Sequence, residues 1–205
     1  MVKAVVFDIG NVLISWNPLG VYDRLIGAPR RRAFFEQVPV FDYNKELDRG
    51  ESLDAVVQAM ISDFPQWADE CRMWRDHWAD MVEPEIPHSV RLLRALRARG
   101  IPVFALSNFG RDTFDIAAQR YPFLLEFDHA YISGRMGLIK PDDDIYAALE
   151  ADSGLQGADL LFADDLADNI ATARGRGWHT HLFETPQGWA DCLTQHGLLT
   201  SDEAA

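Results

Sequence analysis

Polar residues that can carry chemistry follow three short apolar segments of this chain, and a lysine lies in the same half of the chain as the last two. These residues are Asp8, Ser107, Asn108, Lys140, Asp164 and Asp165. If the apolar segments are strands of one parallel sheet, their carboxyl ends lie along one edge, where open α/β sheets bind their ligands. We therefore expect one lysine, one hydroxyl and at least two carboxylates to converge on one crevice.

This set of side chains suits phosphoryl transfer. A carboxylate can attack phosphorus and form an aspartyl-phosphate, but carboxylates close to one another oppose each other's ionisation. A Mg²⁺ ion relieves that repulsion, and it favours carboxylates, a backbone carbonyl, waters and a phosphate oxygen. Ser107, Asn108 and the backbone amides after Asp8 can donate to phosphoryl oxygens. Lys140 can neutralise charge on the nucleophile and on the transferring group.

The elements that must position these residues alternate between strands and helices from Pro84 onward. The pattern predicts strands at residues 4–7, 101–106, 127–132, 160–163 and 178–183. It predicts helices at residues 111–120 and 166–174, a helix capped by Ser89 that runs through Arg99, and another opened by Lys140, with Pro141 in its first turn. Apolar runs without alternation indicate strands buried on both faces. The expected fold is a Rossmann-like three-layer α/β/α parallel-sheet core.

The block from Leu19 to about Val82 has an interrupted helical pattern and no strong strand, so it is predicted as a helical insertion after the first strand. Trp67, Trp74 and Trp78 recur near helical spacing, which is typical of the core of a small helical bundle. Trp16 is predicted as a pocket wall because it follows Asp8 closely.

Composition limits the classes of partner. A net charge of −13 repels nucleic acid and anionic lipid, so both are excluded as main partners. No apolar run approaches the ~20 residues of a membrane span. Cys71 and Cys192 are too few and too far apart for a disulfide framework or a zinc site. A cytoplasmic setting fits these features best.

Four motifs of this chain resemble those of the haloacid dehalogenase-like hydrolase superfamily, in that family's order. They are Phe7-Asp8-Ile9-Gly10-Asn11-Val12, Leu106-Ser107-Asn108, Lys140-Pro141-Asp142 and Asp164-Asp165. The insertion is similar to the four-helix C1-type cap of that superfamily. The resemblance implies a core at residues 1–16 and 84–205 and a cap at residues 17–83. The sequence looks most like bacterial sugar-phosphate phosphatases of the α-D-glucose-1-phosphatase kind, which have a similar Asp-x-Gly-Asn opening.

The resemblance also implies residue roles and a cofactor. Asp8 is the expected nucleophile, with Lys140 as the second catalytic residue. The implied Mg²⁺ ligands are Asp8, the carbonyl of Gly10, Asp165 and, directly or through water, Asp164. The implied substrate-binding residues are Ser107, Asn108, Lys140, Asn11 and Trp16. Asn169 is expected to orient Asp165, and Asp168 to face solvent. The implied activity is Mg²⁺-dependent hydrolysis of a small phosphorylated metabolite, such as a sugar phosphate, by a monomer or homodimer.

Gly10 departs from the family pattern. Most phosphatases of the family have an aspartate at this position, which protonates the leaving group and later activates water. Glycine cannot transfer a proton, and general acid catalysis is typically worth ~10²–10⁴-fold. Either the enzyme is slow on ordinary alkyl phosphates and favours better leaving groups, such as an anomeric sugar phosphate, or a cap residue, water or the substrate supplies the proton.

Two alternatives remain beside the phosphatase interpretation. Metal-independent 2-haloacid dehalogenases of the same superfamily also lack the second aspartate, but paired acids at Asp164 and Asp165 would be a liability beside a carboxylate substrate. The metal-ligand chemistry of that pair favours a phosphatase. A binding or regulatory protein with a weakened active site is the alternative from another class, and Gly10 is its motivation.

Overall fold

The computed structural model describes all 205 residues, and its centre is a sheet of five parallel strands. The strands are β1 (Ala4–Phe7), β2 (Val103–Ser107), β3 (His129–Ile132), β4 (Leu160–Asp164) and β5 (His179–Leu182). Their spatial order is β3-β2-β1-β4-β5, so β1 lies in the middle. Val5 pairs with Val103 on one side and with Leu161 on the other. This register brings the carboxyl ends of β1, β2 and β4 to one edge.

Twelve α-helices complete the chain. They are α1 (Pro18–Ile26), α2 (Ala28–Gln37), α3 (Val40–Asp48), α4 (Leu53–Asp63), α5 (Ala68–Asp76), α6 (Trp78–Met81), α7 (Pro87–Ala98), α8 (Arg111–Arg120), α9 (Ser133–Met136), α10 (Asp143–Ser153), α11 (Ala167–Gly175) and α12 (Pro186–Gln195). Short 3₁₀ turns lie at Pro65–Trp67, Pro122–Leu125 and Gly157–Asp159. No helix is both long and apolar enough to cross a lipid bilayer.

The two faces of the sheet bury different clusters. Every residue of β1, β2 and β4 is buried, as expected from their continuous apolar runs. Val5 and Phe7 pack in a cluster with residues of α7, α8 and α12, and this cluster continues into the helical insertion. Val6 belongs to a second cluster with residues of α10 and α11. Helices therefore cover both faces, and the predicted three-layer α/β/α core is confirmed.

Helices α1 to α6 form the cap between β1 and α7. The predicted helical cap is confirmed. It holds five helices of nine to eleven residues and the four-residue α6, which is more than the four expected. Gly27, with φ 78°, ends α1 and separates it from α2. Trp74 and Trp78 are buried, and Trp67 packs partly buried against the same cluster.

Two predicted helix starts are also wrong. Helix α7 begins at Pro87, whose ring is compatible with the first helical position, and Ser89 is buried inside the helix instead of capping it. Helix α10 begins at Asp143, so Pro141 lies before it and not in its first turn. The reason is that Lys140 exchanges two hydrogen bonds with Asn108, which holds this segment against the end of β2.

Candidate active site

A tight turn after β1 carries the first motif. The carbonyl of Ile9 accepts hydrogen bonds from the backbone N–H groups of residues 12, 13 and 14. Asn11 has φ 54°, a left-handed conformation that asparagine tolerates better than most residues. Its side-chain oxygen accepts from the N–H of Trp16 at 2.9 Å, and its amide nitrogen donates to Asp165 Oδ2 at 2.9 Å. Asn11 therefore fixes the turn against the end of β4.

The centre of the site is a buried ammonium between two carboxylates. Lys140 Nζ lies 2.9 Å from Asp8 Oδ1 and 2.6 Å from Asp164 Oδ2. Lys140 is 3% exposed, Asp8 6% and Asp164 0%. Charges this deeply buried persist only when they are paired. The charged groups of Asp8, Lys140 and Asp164, which belong to three separate motifs, therefore lie in contact, as expected if the strand ends share one edge of the sheet.

The neighbouring polar groups position this cluster. Asn108 donates to the carbonyl of Lys140 and accepts from its N–H, both at 2.8 Å. Asn169 donates to both oxygens of Asp164, at 2.9 and 3.0 Å, and the N–H of Leu166 donates to Asp164 Oδ1 at 2.8 Å. The expectation that Asn169 orients Asp165 is therefore wrong, because one turn of α11 brings its amide over Asp164. Asp165 takes its hydrogen bond from Asn11.

The burial of these charges shifts their pKa values. Burial raises the pKa of Asp8 to about 6; Lys140 opposes this rise and the charge of Asp164 adds to it. A hydrogen bond from Ser107 also opposes it. Burial by itself would lower the pKa of Lys140, but the two carboxylates hold it above its usual value. Burial likewise raises the pKa of Asp165. More negative charge meets here than one lysine can balance.

The acidic residues fit a hard divalent cation. Asp8, Asp164 and Asp165 each offer a carboxylate oxygen, and these oxygens lie within 4.8 Å of one another. Asp8 Oδ1 is buried, and the ammonium of Lys140 at 2.9 Å is its one polar partner in the protein. Both oxygens of Asp164 already accept hydrogen bonds. An oxygen-only donor set of this charge is typical of Mg²⁺ or Ca²⁺ sites.

A cavity of about 230 Å³ lies between the core and the cap and opens onto this cluster. Eight predicted site residues line it, and Asp164 lies beneath Lys140. These are Asp8, Gly10, Asn11, Trp16, Ser107, Asn108, Lys140 and Asp165. Asn169 lines the cavity as well, and Asp168 is exposed as expected.

One wall of the cavity is apolar. The six apolar lining residues are Ile14, Trp16, Trp78, Val82, Phe109 and Leu166. The ring of Trp16 packs 6.0 Å from that of Trp78, which in turn packs 5.5 Å from Phe109. The apolar surface of the cavity therefore comes from both parts of the chain, Trp78 and Val82 from the cap and the other four residues from the core.

Two further polar residues line the cavity from the cap, and neither was predicted as a site residue. Asn44 and Asp48 lie one turn apart in the second half of α3 and line the same space as Asp8. Burial raises the pKa of Asp48 to about 7; Lys140 opposes the rise and Asp8 adds to it. Their position depends on how the cap packs on the core, and local sequence patterns do not predict that packing.

A sequence model of the haloacid dehalogenase-like hydrolases matches residues 2–177 of this chain. Two fungal proteins are also similar to it. The drimenol cyclase drtB of Aspergillus calidoustus is 23% identical over 188 residues, which are 89% of this chain and 34% of the cyclase, so the chain spans only that part of its length. The sesquiterpene phosphatase astK of Aspergillus oryzae is 25% identical over 180 residues, 85% of this chain and 86% of the phosphatase.

One solved structure with the same architecture is the HAD family enzyme BT-2542 from Bacteroides thetaiotaomicron, in complex with magnesium and inorganic phosphate. It superposes with a TM-score of 0.68 at 20% sequence identity, covering 90% of this chain and 95% of that chain. At this level of identity the match establishes a common fold.

Proposed function

Since this chain belongs to the haloacid dehalogenase-like hydrolases, we propose that it hydrolyses a small phosphomonoester in a Mg²⁺-dependent reaction with Asp8 as the nucleophile. The observation that carries the proposal is the buried ammonium of Lys140 between Asp8 and Asp164, with a third carboxylate from Asp165 close by. The ammonium favours the ionised form of the buried Asp8, and the same positive charge could stabilise a transferring phosphoryl group.

Each residue of the site has a separate proposed role. Asp8 attacks phosphorus and forms an aspartyl-phosphate, which water then hydrolyses. The hydroxyl of Ser107 and the ammonium of Lys140 face the phosphoryl oxygens. The backbone N–H groups of Ile9 and Gly10 make no hydrogen bond within the protein, so they are free to donate to an anion. Asn108 holds Lys140 in place, and Asn11 holds Asp165.

The proposed Mg²⁺ ligands are Asp8, the carbonyl of Gly10 and Asp165, and Asp164 is a fourth candidate, directly or through water. Asp164 is the weakest candidate for a direct bond, because Lys140, Asn169 and Leu166 already occupy its oxygens. When bound, the cation would offset the carboxylate charge and polarise a phosphoryl oxygen. That BT-2542 was solved with magnesium and inorganic phosphate supports this choice of cofactor and ligand.

A sugar phosphate is the first proposed substrate class. The opening Asp8-x-Gly10-Asn11 resembles that of α-D-glucose-1-phosphatases, and Trp16 offers an aromatic face beside the nucleophile. An isoprenoid phosphate is the second candidate. The apolar cavity residues suit it, and astK, a sesquiterpene phosphatase by name, is a relative whose match covers 85% of this chain.

The site chemistry disfavours the two other interpretations. A dehalogenase must bind an anionic carboxylate substrate, and Asp164 and Asp165 would repel it unless a cation were present. A purely binding protein has no need to bury an ammonium against a potential nucleophile. Release of chloride from 2-chloropropionate without metal would nonetheless make the dehalogenase the correct assignment.

The test is a screen of phosphorylated metabolites with Mg²⁺ and with EDTA. The panel contains glucose 1-phosphate, glucose 6-phosphate, farnesyl phosphate and p-nitrophenyl phosphate, each assayed with wild type and with Asp8→Asn. We expect phosphate release that requires Mg²⁺ and is absent from Asp8→Asn. Phosphate release that survives in Asp8→Asn would overturn the assignment, and the preferred member of the panel decides between the two substrate classes.

A further inference from the structure

Phosphoester hydrolysis at Asp8 needs a proton donor and acceptor that the first motif does not supply. The leaving oxygen must gain a proton, and the attacking water must later lose one. Gly10 has no side chain to do this. The cavity that holds Asp8 contains four ionisable side chains, those of Asp8, Asp48, Lys140 and Asp165. Asp8 is the nucleophile, Lys140 is held by two carboxylates, and Asp165 is bonded to Asn11.

We propose that Asp48, at the end of cap helix α3, is the general acid and base of the reaction, in place of the side chain that Gly10 lacks. This inference rests on the proposed phosphatase function. It assigns the cap a chemical role in addition to covering the site.

Close packing between the cap and the core fixes the end of α3 over the site. Leu47, next to Asp48, is 2% exposed and lies against Gly110, where a Cβ would come within 3.1 Å of the Leu47 Cβ. Two residues after Asp48, Gly50 adopts φ 109° and approaches Gly134, so that a Cβ on Gly50 would lie 3.0 Å from the Gly134 carbonyl oxygen. Glycines on both sides allow backbones to approach this closely.

The surroundings of Asp48 leave its carboxyl group uncommitted. It makes one hydrogen bond, from Asn44 Nδ2 at 3.4 Å, and no ion pair. The two basic residues beside it on the cap pair elsewhere, Lys45 with Asp42 and Arg49 with Glu46. A carboxyl group without a cation partner in a partly buried site can take up and release a proton at moderate cost.

The pKa of Asp48 agrees with this role. Burial raises it to about 7; Lys140 opposes the rise, Asp8 adds to it, and Arg49 and Asn44 oppose it. Near neutral pH the acid and the carboxylate are then both populated, which is the condition under which general acid–base catalysis is most effective.

The reaction has two chemical steps, and Asp48 transfers one proton in each. In the first, an Asp8 oxygen bonds to phosphorus, the bond from phosphorus to the ester oxygen breaks, and the Asp48 carboxylic acid gives its proton to that oxygen, which leaves as an alcohol. In the second, the Asp48 carboxylate takes a proton from water as the water oxygen bonds to phosphorus. The bond from phosphorus to Asp8 breaks, and phosphate departs with Asp48 protonated again.

The test compares leaving groups in wild type and Asp48→Asn. p-Nitrophenolate is a good leaving group without protonation, whereas an alkyl ester oxygen must receive a proton as its bond to phosphorus breaks. The first irreversible step controls kcat/KM. For the alkyl phosphate that wild type hydrolyses fastest, we expect kcat/KM to fall ~10²–10⁴-fold in Asp48→Asn. For p-nitrophenyl phosphate we expect kcat/KM to be nearly unchanged and kcat to fall, with a burst of p-nitrophenolate because the second step lacks its base.

Two variants control the result. Asp42→Asn removes an exposed carboxylate from the same helix and should leave both substrates unaffected. Gly10→Asp in the Asp48→Asn background should restore part of the alkyl phosphate activity, since a Cβ at Gly10 meets nothing within 4 Å. In wild type, kcat/KM for the alkyl phosphate should decline as pH rises through about 7, and this decline should vanish in Asp48→Asn.

The outcomes separate this inference from the proposed function. If Asp48→Asn lowers kcat/KM for both substrates equally, or for neither, Asp48 is not the proton donor, although the phosphatase assignment stands. The same conclusion holds if wild type cleaves p-nitrophenyl phosphate but no alkyl phosphate. The proposed phosphatase function with Asp8 as the nucleophile is overturned only if activity persists in Asp8→Asn.

Discussion

Replacement of Lys140 by methionine is the most demanding test of the buried charge cluster. Methionine keeps most of the side-chain length and removes the ammonium. Asp8 and Asp164, which are 6% and 0% exposed, would then face each other without the cation that now lies 2.9 and 2.6 Å away. Asn169 and the N–H of Leu166 would still bind Asp164, whereas Asp8 Oδ1 would have no partner.

The size of the effect follows from this loss. Removal of one partner from a buried ion pair leaves an uncompensated buried charge and typically costs 3–5 kcal/mol. We therefore expect Lys140→Met to lower the free energy of unfolding by about that amount at pH ~8 in EDTA. Mg²⁺ should recover part of the loss, because a cation bound to Asp8 and Asp165 would balance the same charge.

Urea unfolding, followed by circular dichroism with EDTA and with Mg²⁺, measures both quantities. The matched control is Lys3→Met, which removes an exposed lysine that pairs with Asp159 at 3.0 Å, with side chains 62% and 27% exposed. Exposed pairs contribute about 0–1 kcal/mol. A loss in Lys140→Met no larger than that in Lys3→Met would refute the reasoning, since the ammonium would then not be balancing buried charge.

Three other substitutions test the backbone packing, the Asp48 charge and the metal site. Gly134→Ala should destabilise by roughly 1–3 kcal/mol, because the new Cβ would lie 2.5 Å from the backbone N of Arg111; wild-type stability in urea would contradict this packing. Burial raises the pKa of Asp48 from 3.8 to about 7, so the metal-free wild type should lose about 1.4 kcal/mol of stability per pH unit as pH rises between these values. Asp48→Asn should lack this contribution and keep only that of Asp8, whose pKa burial raises to about 6, so its stability should fall less steeply with pH than that of wild type. Parallel pH–stability curves for the two proteins would count against the prediction. Mg²⁺ at about a hundred times its Kd should stabilise wild type by about 2.7 kcal/mol and Asp165→Asn by much less; equal shifts in thermal melts would argue against Asp165 as a ligand.

The core of the fold was predictable because its signals are local. The apolar run before Asp8 becomes β1 at the predicted residues 4–7, and the alternation after Pro84 becomes the parallel sheet. Once the strands are parallel, geometry alone brings Asp8, Ser107 and Asp164 to one edge. Helix boundaries were less predictable. Pro87 starts α7 two residues before Ser89, and the hydrogen bonds between Lys140 and Asn108 hold Pro141 outside α10.

The part of the site that the sequence did not reveal depends on contacts between the cap and the core. Asp48 ends an ordinary amphipathic helix and belongs to no motif. Its place over Asp8 depends on the close approach of Leu47 to Gly110, residues far apart in sequence. Asn169 is a second example. Helical periodicity predicts that it lies near Asp164 and Asp165, but it does not predict that the amide binds Asp164.

The most direct measurement of the central claim is to trap the covalent intermediate. Wild-type protein is mixed with Mg²⁺ and radiolabelled p-nitrophenyl phosphate, quenched in acid within the first turnover, digested and mapped by mass spectrometry. The account predicts one phosphorylated peptide, the one that contains Asp8, with no label in EDTA or in Asp8→Asn. Label on another residue, or substrate turnover by Asp8→Asn at the wild-type rate, would contradict it.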